Sequence, residues 1–469
     1  MLRNSLKIFS YRTLAVVFVV CVSFSSADKE AVAGQNYCGD IGFSDYDEKV
    51  VESFYRTYIA TTGELNDSKR EIELDSRLKQ ASLRLQEKIE LLKRLSPPND
   101  ATSPSEEVRM ERLILSIDPE QLPVLKFTVD YDGDYKDMTE YVFHDVDSIR
   151  LQASLIAHFA KNSTNQGVKV LTDVDDTLYA SLVDTRYPKK TLYPGGLAFY
   201  AALAEEPFQV KGIPITTLSA RPNPIGGNLE EGSISGLVDL TNRALCPTGL
   251  SGEVFSSAFG TLETWFRANS SELEKGIPHG HEDQIGEVKF GNFAAYSQVY
   301  PDYRYVFVGD SGQADSITAT KMVSDNMVDG TRRVITTFIH DLRRSPQDTS
   351  MASPSFRKLD SRLMVTVDSK DARGVIVFRN YIAAGTVAYA HAQELDYLIT
   401  AEELGRIILA ALKELRAIQF SGGQVDRDRV FREYREDTEM AIAILRSRNE
   451  PGATGVREEI EDTLAKWDS

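Results

Sequence analysis

The chain is 469 residues long, 42% apolar and 26% charged, with 53 basic against 70 acidic residues and a net charge of −17. At roughly 100–200 residues per domain this allows two to four structural units, ample to bury a core. The acidic balance speaks against a sequence-independent nucleic-acid binder, the modest Pro and Gly content against a collagenous or disordered chain, and the lack of ~20 consecutive apolar residues against a multi-span membrane protein.

The N-terminus carries Arg3, Lys7 and Arg12 and no acid, followed by an apolar run over 14–22 and then Ser25 and Ala27 at small-residue cleavage positions. This three-part pattern predicts a signal peptide over 1–27 and a secreted or lumenal protein, with an uncleaved signal anchor as the alternative. The apolar run is short for a spanning helix, so no transmembrane helix is expected after cleavage. Cleavage would deepen the net charge to −20, since the segment holds three basic residues and no acidic one. Cys21 leaves with it. Cys38 and Cys246 then either form one disulfide or stay as two thiols. No CxxC pattern or Cys/His cluster is present, so a structural zinc site is not expected. Asn66, Asn162 and Asn269 head glycosylation sequons.

Residues 28–105 read as a helical N-terminal region. Leu74, Leu78, Ala81, Leu85, Ile89, Leu92 and Leu95 recur at spacings of three and four, which predicts one amphipathic helix halted by Pro97 and Pro98. Residues 106–164 read as a connector. Within it, 125–129 and 141–143 form a β-hairpin about Asp132-Gly133, followed by a helix. Asp130, Asp132 and Asp134 resemble a calcium loop, but Gly stands fourth where the sixth place needs it and Tyr141 replaces the closing Glu. Turn chemistry is the better reading.

Between 165 and 350, β-rich runs at 168–171, 213–218, 305–308 and 334–339 alternate with helical stretches. That alternation predicts a parallel sheet covered by helices on both faces. From 351 the chain reads as a strand and helices, among them a helix capped by Thr400 with Glu403 and lined by Leu404, Ile407, Ile408, Ala411, Leu412 and Leu415.

Open parallel sheets bind ligands beyond their carboxyl strand ends. The first strand runs into Asp173, Asp175, Asp176 and Thr177, and the third into Gly309, Asp310 and then Asp315. Carboxylates crowded beside buried strands need a counter-charge, and Mg²⁺ takes such hard oxygen ligands. Ser219 ends the second run, and Lys289 precedes the third by a helix-length segment.

In this order, DxDxT (Asp173, Asp175, Thr177), Ser219, Lys289 and GDxxxxD (Asp310, Asp315), the chain resembles the haloacid-dehalogenase-like phosphatases. More narrowly, it is similar to the catalytic domain of a class of phosphatidate phosphatases through 173–178, Tyr193-Pro-Gly-Gly196, Cys246-Pro-Thr-Gly249, Lys289 and 308–315. The resemblance spans about 165–350. It implies an α/β, Rossmann-like parallel-sheet core of that superfamily, flanked here by helical N-terminal and C-terminal regions. It further implies an Mg²⁺-dependent phosphomonoester hydrolase with a phospholipid as one candidate substrate. In the implied roles Asp173 is the nucleophile, Asp175 the acid and base, and Ser219 and Lys289 bind the phosphoryl group together with Thr177. Asp173, the Asp175 carbonyl, Asp310 and Asp315 hold the metal. The Asp at 175 separates the chain from the dehalogenases, which lack it, and from the cation pumps, which carry Lys there.

The family's second motif usually reads Ser-Asn-Ser-Pro, whereas Ser219-Ala-Arg-Pro222 stands here. Arg221 either binds a second anionic group of the substrate or pairs with a neighbouring acid. The roughly seventy residues between Ser219 and Lys289 exceed what a crossover needs and read as a substrate-selecting cap or a structural insertion. His279 and His281 lack a third ligand and read as a solvated loop. Two other readings stay open: a phosphatase of soluble phosphometabolites, and a lipid- or partner-binding module with a vestigial site.

Overall fold

The structure is a computed structural model that describes residues 47–59, 67–96, 102–131, 138–165, 167–181, 183–203, 215–218, 252–253, 282–324, 333–343, 352–369, 374–396, 398–420, 423–448 and 452–467. At its centre stands a seven-stranded sheet of β1 (Val168–Thr172), β2 (Ile215–Thr217), β3 (Gly252–Glu253), β4 (Arg304–Asp310), β5 (Val334–His340), β6 (Met364–Val365) and β7 (Val375–Phe378). The order is β3-β2-β1-β4-β5-β7-β6, and every ladder is parallel. Strands buried on both faces need apolar side chains at consecutive positions, which is why β1, β4 and β5 are legible as apolar runs. The sheet continues past residue 350, with β7 lying between β5 and the edge strand β6.

Period-two alternation divides these side chains between two cores. Val168, Val170, Val306, Val308, Phe338, Ile376 and Phe378 point into one. It is closed by α8 (Gly196–Leu203) and the C-terminal helices α12 (Tyr381–Ala390), α13 (Ala401–Ala417), α14 (Gly423–Arg448) and α15 (Ala453–Ala465). Leu171, Tyr305, Phe307, Ile339 and Val375 point into the other. That face is covered by α1 (Glu48–Ile59), α2 (Asp67–Ala81), α3 (Leu85–Leu95), α4 (Pro104–Leu115), α5 (Leu122–Tyr131), α6 (Met138–Phe143) and α7 (Ile149–Lys161), with α9 (Glu282–Val299) and α10 (Asp315–Ser324). A short α11 (Pro354–Arg357) precedes β6. Each large apolar side chain so buried contributes roughly 1.5–3 kcal/mol.

The N-terminal helices are fastened to the amino ends of the strands. Lys126 of α5 donates to Asp302 at 2.6 Å, Thr164 N donates to the same carboxylate at 3.0 Å, and both ionic side chains are buried. The Lys126 ammonium also lies over the Phe159 ring, 4.7 Å from its centre.

Two expectations are corrected. The stretch 74–95 is not one helix: it breaks between α2 and α3, where Ser82 takes a left-handed φ of +49°. The apolar face survives the break, with Leu74, Leu78, Ile89, Leu92 and Leu95 all buried. The β-hairpin at 125–129 and 141–143 is absent, and these residues lie in α5 and α6. Leu122, Leu125 and Val129 bury one helical face, and that packing overrides the strand preference of the local residues. The Thr400 capping box is present as expected: Thr400 accepts from Glu403 N, Glu403 accepts from Thr400 N at 2.7 Å, and the α13 residues Leu404 to Leu415 on its apolar face are buried.

Residues 1–27, Cys38, Cys246, the Asp132-Gly133 turn, Ser219, Arg221, His279 and His281 lie outside the described residues. Among the described residues, no helix is long and apolar enough to cross a membrane.

Candidate metal and catalytic centre

From β1 the chain order steps outward to β2 and β3, then returns to the other side of β1 for β4 and β5. The chain order reverses between β1 and β4, and the carboxyl ends at such a reversal are where open parallel sheets hold ligands. Asp173 follows β1 directly, with its N–H donating to Val308 O of β4 at 2.8 Å. Asp310 is the last residue of β4, and Asp315 the first of α10. Topology alone therefore brings these three carboxylates together.

Ligand atoms of Asp173, Asp310 and Asp315 lie within 4.8 Å of one another, and all three residues are buried. Lys289 of α9 reaches them from the side. Its ammonium donates to Asp173 Oδ1 at 2.7 Å and to Asp315 Oδ1 at 2.5 Å, and the lysine is 2% exposed. Backbone N–H groups of Gly312 and Gln313 donate to Asp310 Oδ1 at 2.6 and 3.1 Å, and Asp310 N donates to Asp315 Oδ2 at 3.2 Å. Gly309 is required here, because a Cβ at that position would lie 2.5 Å from Asp315 Oδ2.

Three acids against one lysine leave a charge deficit, and the titration behaviour reflects it. Burial, then the carboxylates of Asp315 and Asp173, push Asp310 well above the usual carboxylate range. Burial also raises Asp315, to about 6, although Lys289 opposes the rise. Burial alone would lower Lys289; the carboxylates of Asp173 and Asp315 outweigh it and hold the ammonium firmly charged. Asp173 Oδ2 and Asp310 Oδ2 are buried oxygens with no hydrogen-bond partner among the described residues. Unpartnered buried carboxylate oxygens are costly, and a hard divalent cation would satisfy both at once. The donor set, all oxygen and net negative, fits such an ion.

The turn after β1 carries the remaining expected residues. Asp175 is buried and bridges to Tyr179. Thr177 is fully buried, with its hydroxyl unpartnered among the described residues. Asp176 adopts a left-handed φ of +56°, a conformation that Asp tolerates better than most side chains. Its carboxylate accepts N–H groups of Ser181, Val183 and Asp184 at 2.8, 2.6 and 3.2 Å and so folds the following loop back onto the turn. Leu218, at the end of β2, donates its N–H to Thr172 O at 2.7 Å.

Around this turn lies a buried group that carried no motif. Arg186 is fully enclosed and pairs with Asp184 at 2.8 Å, and Tyr193 donates to Asp184 at 2.9 Å. His340, the last residue of β5, packs edge-on to Tyr193 and flat against Phe378, and its Nδ1 donates to the Asp176 carbonyl at 3.0 Å. Burial, reinforced by Arg186, lowers the imidazole to about 4.

No family model matches the chain, and neither a curated protein nor a solved structure does.

Proposed function

We propose that the protein is a divalent-cation-dependent phosphatase of the haloacid-dehalogenase-like type, acting on a phosphomonoester through an aspartyl-phosphate. The observation that carries the reading is the convergence of Asp173, Asp310 and Asp315 at the switch point, where Lys289 pairs with Asp173 and Asp315 and two carboxylate oxygens have no partner among the described residues. In this reading Asp173, Asp310, Asp315 and the Asp175 carbonyl would hold Mg²⁺, which when bound supplies charge that screens the nucleophile from the phosphate.

The chain's own residues do the rest. Lys289 holds Asp173 Oδ1, and Oδ2 has no donor among the described residues, so the nucleophile is oriented in advance. Asp173 attacks phosphorus as the ester P–O bond breaks, and Asp175 gives its proton to the departing alcohol. Asp175 then takes a proton from water, which attacks phosphorus and releases Asp173 and inorganic phosphate. Lys289 and Ser219 stabilise charge on the transferring phosphoryl oxygens, and Thr177 helps to bind the group. The N-terminal pattern of 1–27 fits an enzyme of the secretory pathway.

For the substrate we favour phosphatidate or a related lipid phosphomonoester. Arg221 beside Ser219, where the family usually carries small polar residues, favours soluble phosphometabolites as the second reading. Asp173→Asn is expected to lower phosphate release at least ~10³-fold with the fold intact, since it removes the attacking group. The assay runs on phosphatidate liposomes and on a soluble phosphomonoester panel. Turnover confined to the soluble panel would select the second reading. Turnover retained by Asp173→Asn would sink both.

A further inference from the structure

We propose that Tyr381, on the C-terminal side of the chain and outside the segment that carries the phosphatase-like motifs, is a positioning residue for the nucleophile turn 173–178. The inference rests on the reading of Asp173 and Asp175 given above.

Three carbonyls of that turn accept hydrogen bonds from buried side chains of three different elements. The Asp173 carbonyl accepts from Thr172 Oγ1 of β1 at 2.6 Å, and that hydroxyl is itself 2.7 Å from Tyr200 Oη of α8. The Asp176 carbonyl is held by His340 of β5. The Thr177 carbonyl accepts from Tyr381 Oη of α12 at 2.6 Å. Backbone bonds from Leu178 N to Val174 O at 3.0 Å and from Asp176 N to Tyr179 O at 2.9 Å close the turn from within, and these side-chain donors hold three further carbonyls around the left-handed Asp176.

Tyr381 is itself fixed from behind. It is the first residue of α12, whose N-cap Asn380 accepts from Ala383 N at 3.1 Å. Asp437 of α14 accepts from Asn380 Nδ2 at 2.6 Å and from Arg379 Nε at 2.8 Å, so the long C-terminal helix sets the position from which the tyrosine reaches. The ring is fully buried. A Cβ on Gly196 would stand 3.1 Å from it, which leaves the ring little freedom to withdraw. Removing the hydroxyl alone keeps this packing and strips the Thr177 carbonyl of its described donor. Loss of a buried partner falls on the backbone two residues beyond Asp175, within the turn that carries both carboxylates.

The test compares Tyr381→Phe with Tyr434→Phe in the full chain. Tyr434 is equally buried, but its hydroxyl donates to the Pro194 carbonyl at 3.3 Å and to no carbonyl of the turn among the described residues. Amide hydrogen exchange of the 173–180 peptide is expected to speed up about tenfold in Tyr381→Phe and to stay unchanged in Tyr434→Phe. With the wild-type enzyme's preferred phosphomonoester, kcat is expected to fall about tenfold in Tyr381→Phe with KM within about twofold. Unchanged exchange of the turn in Tyr381→Phe, or equal effects of the two variants, would overturn the proposal. A wild-type chain that releases no phosphate would sink the phosphatase reading instead, and the exchange comparison would still decide the role of Tyr381.

Discussion

The helices before β1 and the helices after β7 each cover one face of the same sheet, yet they grip it differently. The N-terminal layer is fastened through Lys126 and Thr164 to Asp302, just ahead of β4 and so at the amino ends of the strands. The C-terminal layer also touches that end, through Arg304 and Asp396, but its other anchors lie at the carboxyl ends. There Tyr381 holds the Thr177 carbonyl, Glu414 accepts from Gly195 N at 2.8 Å, and Tyr434 holds the Pro194 carbonyl. Because parallel sheets place their chemistry at one end only, two layers of similar size have unequal access to it. Substitutions in the first layer should act on stability, and some in the second should act on turnover as well.

The largest effect that sharpens this contrast is Lys126→Met, which leaves Asp302 buried without its cation. A loss of about 3–5 kcal/mol is expected in denaturant unfolding, with kcat unchanged. A parallel fall in kcat would break the contrast. Next comes the pH dependence of stability, to which His340 contributes at the carboxyl end. Its folded value of about 4 lies below the ordinary 6.5, so the unfolded chain takes up this proton first as pH falls. The contribution is complete above pH 6.5 and is lost by pH 4, a change of about 3 kcal/mol. His340→Asn, which keeps a donor near the Nδ1 position, should flatten that slope in melts recorded between pH 4 and 7. A slope as steep as in the wild type would assign it to other groups. The smallest effects form a matched pair. Ser103→Ala at the cap of α4 and Thr400→Ala at the cap of α13 should each cost about 1 kcal/mol, since both remove the same capping-box contact. Neither cap touches the turn 173–178, so kcat should be the same in both.

The strands and the charged centre were legible because burial on both faces demands continuous apolar runs and because acids at strand ends stand out against them. Asp173, Lys289, Asp310 and Asp315 meet as their order along the chain implied. The hairpin expectation fails because Phe127, Thr128 and Val129 favour strands locally, whereas the packing partners of this segment lie elsewhere in the chain. Lys126, the residue that decides how α5 docks, is answered by Asp302, and no local pattern announces that pair. Tyr381 and His340 were equally silent. Each contributes a single side-chain donor to a backbone carbonyl, and such a bond leaves no motif at either residue. The break at Ser82 was hidden for a related reason: the apolar spacing continues through it unchanged.

The measurement closest to the central claim is phosphate release by the full chain with Mg²⁺ and with excess chelator, in parallel for the wild type and Asp310→Asn. Release with Mg²⁺ that chelation abolishes is expected, with a loss of at least ~10²-fold in Asp310→Asn, whose Oδ2 has no partner among the described residues and calls for a cation. Release that persists in chelator, or that Asp310→Asn leaves untouched, would contradict that claim.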